Sequence, residues 1–255
     1  MPIRDLAELT WEEVRDLGRA RPVVIWPVGA LEAHGPHLPL ATDVIIAEAM
    51  ARAGAARLAA DGLEVLVLPA MAYTPAPFAE DFPGTLSATP AALATLVTDV
   101  ADSLDRMGAR VFAVANAHLD PTHLAALHAG VDRCREAGGM AVAFPDLTQR
   151  PWAQRLGDEF RTGACHAGRF ESSIVLAARP DLVRDDLRRA LGPNPRSLST
   201  AIRDGKRSFA EAGGDRAYFG WPADASAEEG RALIDALGGI LAEAVTACLA
   251  PEPAA

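Results

Sequence analysis

The chain has 255 residues, half of them apolar, and a formal charge of −10. That length suits one α/β domain with a sizeable core. An acidic balance, with Lys206 the sole lysine, lacks the basic footprint of a nucleic-acid binder. Cys134, Cys165 and Cys248 do not make a disulfide framework and are expected as reduced thiols. The opening run MPIRDLAELTWEE carries charges where a signal peptide needs apolar residues. No run reaches the ~18 uninterrupted apolar residues of a membrane span. A cytoplasmic protein without nucleic-acid or membrane partners is therefore expected.

Taken in chain order, Thr10 and Glu13 form a capping box that opens a short helix. Residues 22–27 (PVVIWP) read as a buried strand, and from Thr42 the pattern turns helical, with Ile45, Ile46, Ala49 and Met50 on one face. Residues 64–68 (EVLVL) read as the next strand, and 90–107 as a helix with proline in its first turn. A strand over 110–115 (RVFAVA) leads to a helix over 121–137 that Gly138 and Gly139 close. After a strand over 140–144 come a helix over 168–178 and a long helix over 226–249, its interior weakened by Gly238 and Gly239. Short apolar strands alternating with amphipathic helices predict a three-layer αβα sandwich with a mostly parallel sheet. Residues 179–222 are the least regular and are expected to be a loop-rich excursion of the same domain or a subunit contact.

Chemistry-bearing residues cluster just past the predicted strands, where open parallel sheets bind ligands. In GALEAHGPHLPLATD (29–43), Glu32 and His34 are two apart and share one side of an extended backbone, while Asp43 opens the following helix. NAHLD (116–120) repeats the pattern with His118 and Asp120. In HAGRFESS (166–173), Glu171 sits among apolar helix positions, where a carboxylate is costly unless paired or metal-bound. His166 lies just before that helix as a proton donor or acceptor. His123 and His128 fall inside the helix after 120 and are expected to be a core or helix-face histidine and a surface one. Cys165 beside His166 suggests a thiol nucleophile, but adjacent residues rarely give a thiol and its base working geometry.

These strings resemble the creatininase (creatinine amidohydrolase) family. The run PVGALEAHGPHLPLATD is similar to that family's E-x-H-G-x-H-L-P-L-x-T-D signature. PGTLS (83–87), NAHLD, HAGRFESS and AYFGWPADASAEEG (217–230) are similar, in order, to further family stretches. The resemblance implies one metallohydrolase domain over residues 1–255 with a two-metal site. In that site Glu32 and His118 would bind one ion, His34 the other, and Asp43 both. It implies a ligand role for Asp120, a catalytic role for His166, and a role for Glu171 as ligand or proton carrier. Closed oligomers, often hexamers, are implied as well. Two departures stand out. Asp120 is one carbon shorter than the glutamate of creatininase, and Phe78 and Ala79 replace a glutamate–histidine pair in a loop expected to shape the substrate pocket.

The implied activity is hydrolysis of a small, possibly cyclic, amide by a hydroxide bridging two divalent ions, with His166 protonating the leaving nitrogen. Zinc, manganese or iron suits nitrogen and oxygen ligands. A small neutral or zwitterionic amide is the expected substrate. The alternatives are a formamide deformylase, a mycofactocin-type peptidase and an inactive metal-binding relative. Trp152, Phe170 and Trp221 are expected to contribute a substrate-packing face, and a phosphate-bearing substrate would call on Arg150, Arg155, Arg161 or Arg169.

Overall fold

The computed structural model describes residues 3–250. Its strands are β1 (Ile3–Asp5), β2 (Val23–Val28), β3 (Val65–Val67), β4 (Val111–Asn116) and β5 (Ala141–Ala143). The main helices are α1 (Trp11–Gly18), α2 (Thr42–Ala60), α3 (Pro90–Met107) and α4 (Pro121–Ala137). They are followed by the short α5 (Arg150–Ala153) and α6 (Gly157–Thr162), α7 (Arg169–Ala178), the short α8 (Asp185–Arg189) and α9 (Leu198–Arg203), and α10 (Ala227–Leu249).

All strand pairs are parallel, in the order β1-β3-β2-β4-β5. Side chains alternate faces along each strand, and two core layers result. Val23, Ile25, Val65, Val67, Val111 and Ala113 pack with Ile46 and Met50 of α2, Ile174 of α7 and Leu237 and Leu241 of α10. On the other face Val24, Trp26, Leu66, Phe112 and Val114 meet Leu93 and Val97 of α3 and Leu127 and Val131 of α4. Each fully buried aliphatic or aromatic side chain contributes about 1.5–3 kcal/mol relative to exposure. Burial on both faces is why β2 and β4 read as unbroken apolar runs.

The sandwich and four strands agree with the sequence reading. β1 was missed. Its sequence, Ile-Arg-Asp, has no strand signature, and it forms only by pairing at the sheet edge with β3. The capping box at α1 is present, with Thr10 N donating to Glu13 Oε2 at 2.8 Å. Gly238 proves to be a packing residue rather than a weak point. A Cβ there would lie 2.5 Å from Ala53 Cβ and 2.9 Å from the backbone N of Gly54, so its absence lets α10 approach α2. By length and composition α10 could cross a membrane, but here it packs on α2 and α7 and buries Leu233, Leu237, Ile240, Leu241 and Val245.

Strand order reverses at β2: β3 lies on one side, and the chain then crosses to β4 on the other. The carboxyl ends of β2 and β4 therefore flank the crevice where α/β sheets place ligands.

Candidate metal centre

Glu32 and His34 lie just past β2, on a segment held from both sides. Leu31 N donates to Ala72 O at 3.0 Å, and Leu86 N donates to Leu31 O at 2.9 Å. Ala33 N donates to Thr85 Oγ1 at 3.2 Å, so the PGTLS stretch clamps the segment that carries Glu32 and His34. Asp43 is in the first turn of α2. A Cβ on Gly29 would lie 2.5 Å from Val44 N and 2.6 Å from Asp43 C, so only glycine lets the helix start press against the end of β2. His118 follows β4, braced by Asn116, whose Nδ2 donates to His118 O at 2.7 Å.

These side chains converge. His34 Nε2 is 3.2 Å from Asp43 Oδ1, 3.6 Å from Glu171 Oε2 and 3.8 Å from Glu32 Oε1. His118 Nδ1 is 2.9 Å from Asp43 Oδ2 and 3.4 Å from Glu32 Oε1. All five residues are buried. Asp43 turns one oxygen to each histidine and is common to two groups of possible donors. Glu32, Asp43 and His118 form one group and His34, Asp43 and Glu171 the other, each with ligand atoms within 4.8 Å of one another. A third such group is Glu32, His34 and His166.

The ring tautomers suit metal binding. A carbonyl can only accept, so His34 Nδ1–H donates to Glu32 O (3.1 Å) and His118 Nε2–H donates to Pro75 O (2.9 Å). Each ring is thereby oriented with its other nitrogen aimed at the carboxylates, placed to bind a metal once it gives up its proton. Glu32 Oε2, Asp43 Oδ2 and His34 Nε2 are buried without a hydrogen-bond partner. Orphaned atoms of this kind are costly, and a cation among them would satisfy all three. Nitrogen and carboxylate donors fit zinc, manganese or iron.

Without a cation, protons take its place. Burial would lower the His34 pKa, but the surrounding Asp43, Glu171 and Glu32 carboxylates raise it to about 10. Burial likewise opposes charge on His118, and Glu32 and Asp43 overcome it and hold its pKa well above the usual value. Burial pushes Glu171 up to about 8 and also raises Glu32. Asp43, although buried, is held below the usual carboxylate range by the two histidines.

His166 is neutral, since burial and the neighbouring charge of His34 lower its pKa. Its ring lies between His34 and Phe209, at centroid distances of 4.4 and 4.2 Å. Nε2–H donates to Ala33 O at 2.9 Å, which leaves Nδ1 unprotonated, 3.8 Å from Glu32 Oε1. Cys165 also lines the cavity. Burial, with Glu171 and Glu159 nearby, holds its thiol far above the usual value, so a resting thiolate nucleophile has no support.

The geometry redistributes several expected roles. Asp120 lines the cavity but belongs to none of the three donor groups. Its Oδ1 caps α4, accepting from Thr122 N at 2.7 Å, and its Oδ2 accepts from Phe78 N at 3.3 Å. The proposed aromatic face is also different. Phe170 is buried against Phe160, Trp152 packs on the core under Arg155, and Trp221 lines a separate surface pocket with Glu159 and Arg169. Phe78 and Phe209 line the metal cavity instead. Arg155 pairs with Glu243 and Arg169 with Glu229, so neither is a free phosphate-binding group.

Phe209, Leu198 and Ile202 come from the irregular excursion, which therefore walls the site. Its later part is stapled on: Phe219 N donates to His166 O at 2.7 Å, and Gly35 N to Ala217 O at 2.7 Å. Two more buried residues, His37 and Glu159, have no role in the sequence reading, and His123 is the core histidine expected there. His37 meets Ser172 Oγ at 2.9 Å, beside Glu171. Glu159 accepts the amides of Arg169, Phe170 and Trp221 at 2.8, 2.6 and 2.8 Å and fixes the start of α7. His123 donates from Nε2 to Asn116 Oδ1 at 2.8 Å and packs edge-on to His118. His128 lies farther out and pairs with Asp146 at 2.9 Å.

A parallel αβα sandwich with histidines and carboxylates gathered at its switch point defines a metallohydrolase-type architecture. The sequence model for creatinine amidohydrolase matches residues 7–245. The chain belongs to the creatininase family. It is 32% identical over 225 residues to the mycofactocin precursor peptide peptidase of Mycobacterium tuberculosis, covering 85% of this chain and 81% of that protein. It is 33% identical over 208 residues to the creatinine amidohydrolase of Pseudomonas putida, covering 74% of this chain and 76% of the relative. A mutant creatininase of Zn–Zn type superposes with a TM-score of 0.71 at 26% identity, over 97% of this chain and 98% of that one.

Proposed function

We propose that the protein hydrolyses an amide C–N bond at a centre that holds two divalent ions. The observation that carries this reading is Asp43, which presents separate oxygens to His34 and His118 within two buried donor groups. Glu32, Asp43 and His118 would hold one ion; His34, Asp43 and Glu171 would hold the other. When bound, such a pair supplies an acidified water and Lewis-acid polarisation of the carbonyl.

The chain's own residues manage the protons. His166 enters the reaction neutral, and its Nδ1 is the acceptor on the cavity side. It takes the proton of the attacking water and returns it to the departing nitrogen, which otherwise leaves as a very poor amide anion. The hydrogen bond to Ala33 O and the flanking rings of His34 and Phe209 fix the imidazole plane for both transfers. Phe78, Leu198, Ile202 and Phe209 exclude bulk water from the cavity. Similarity to relatives named as a creatinine amidohydrolase and a peptide peptidase supports a small amide or a peptide bond as the substrate.

The test is turnover of an amide panel by protein stripped with chelator and reloaded with zinc or manganese. Activity should vanish on stripping and return with about two ions per chain. Undiminished hydrolysis by stripped protein would contradict the proposal.

A further inference from the structure

The cavity over the metal centre measures about 60 Å³, room for a handful of water molecules. It holds a reacting amide group and little more. It borders a groove of about 460 Å³, and Leu119, Pro121, Cys165, Leu198 and Ile202 line both spaces. The groove has the size of a small-molecule site. Its floor adds Leu124, Ala153 and Phe160, and among the described residues no carboxylate side chain lines it.

Two arginines, Arg161 and Arg203, also line the groove. Arg161 is ion-paired with Asp158, which lies outside the groove. Arg203 donates one guanidinium nitrogen to Thr200 Oγ1 at 2.9 Å and has no acidic partner among the described residues. The three charges sum to about one positive charge at the rim, in a chain whose net charge is −10. One net positive charge matches a carboxylate better than a doubly charged phosphate.

Resting on the amide-hydrolase reading, we propose that this groove is a substrate subsite. It accepts the apolar arm of an amide substrate, and the arm ends in a carboxylate met by Arg203 and Arg161. The wall shared with the metal cavity sets the order of parts: amide at the centre, hydrocarbon across Leu119, Leu198 and Ile202, anion at the rim. A small amide without such an arm leaves the groove filled with water and forgoes its apolar contacts.

The test is a ligand-observed NMR titration of the zinc-loaded protein with three probes. Suberamate carries a primary amide, six methylenes and a carboxylate; octanediamide has the same arm with a neutral end; acetamide has no arm. Suberamate should bind about tenfold more tightly than octanediamide, and acetamide more weakly than either, as expected for one charge-assisted contact plus arm burial. Arg161→Gln combined with Arg203→Gln should erase the preference for the acid while leaving octanediamide affinity within about twofold. Leu124→Trp, which fills the groove away from the metal cavity, should weaken both long probes and spare acetamide.

Equal affinity for acid and diamide would overturn the proposal. So would failure of the long probes to bind, or an acid preference that survives the double arginine change, since the carboxylate would then sit on the metals. The same spectra report amide cleavage. The expected binding pattern without cleavage would support the subsite and count against the hydrolase reading alone.

Discussion

Metal uptake should be strongly pH-dependent, and its size follows from the charges around His34. Three carboxylate oxygens lie within 3.2–3.8 Å of its Nε2, and its pKa in the metal-free chain is about 10. At pH 7 that nitrogen is almost fully protonated. Glu171, held up to about 8 by burial, is also mostly protonated. Both protons, and the one that Glu32 and Asp43 hold on His118, must leave before the two ions can bind. The distances from pH 7 to about 10 and to about 8 correspond to roughly three and one pH units, a combined penalty of ~5 kcal/mol on metal binding. Between pH 6 and 7 affinity should rise at least a hundredfold per ion pair, because His34, Glu171 and His118 all give up protons. Above pH 8 the gain should be roughly tenfold smaller per unit, as Glu171 no longer contributes a proton. Isothermal calorimetry of zinc binding, in buffers of different ionisation enthalpy, counts the released protons directly. Release of less than about one proton at pH 7, or an affinity flat from pH 6 to 8, would refute this electrostatic description.

The same groups set the pH dependence of metal-free stability. His34 and Glu171 have folded-state pKa values raised above 6.5 and 4.5, so their stabilising contribution is fully present below those values and is lost as pH rises through about 10 and about 8. Burial lowers His37, His123 and His166, so above pH 6.5 they are neutral in both states and do not oppose the trend. Urea denaturation of stripped protein should show decreasing stability from pH 6.5 to 10, and a rise would contradict the assignment. His166→Ala should retain both ions while turnover drops by roughly 10²- to 10⁴-fold. Loss of an ion, read by elemental analysis, would instead make His166 a ligand. Gly238→Val should overpack the α2–α10 crossing and cost about 1–3 kcal/mol, seen as a lower Tm with unchanged Michaelis constant.

The sheet and the first ligand string were legible because their signals are linear. β2 and β4 are buried on both faces, so their apolar runs stand out, and the extended segment after β2 does bring Glu32 and His34 together. The same spacing rule failed at His118 and Asp120. Pro121 starts α4 immediately afterwards, and Asp120 turns to cap that helix rather than join the donor groups. Glu171 was visible as a carboxylate among apolar helix positions, a placement that demands a partner. Phe209 and Glu159 carried no comparable signal. One lies in an aperiodic stretch, and the other is an acid on a six-residue helix whose backbone partners are 10, 11 and 62 residues away. The aromatic residues expected at the substrate, Trp152, Phe170 and Trp221, do not line the metal cavity, because proximity to a motif does not determine which way a ring faces.

The central claim is a pair of ions sharing Asp43, and metal stoichiometry tests it most directly. Protein purified without chelator, and an Asp43→Ala variant verified as folded by circular dichroism, should be compared by elemental analysis. The parent should hold about two divalent ions per chain, and the variant should lose both to trace levels, because two cations left close together without their shared anion repel. An Asp43→Ala protein that still held two ions, or a parent with no more than trace metal, would contradict the account.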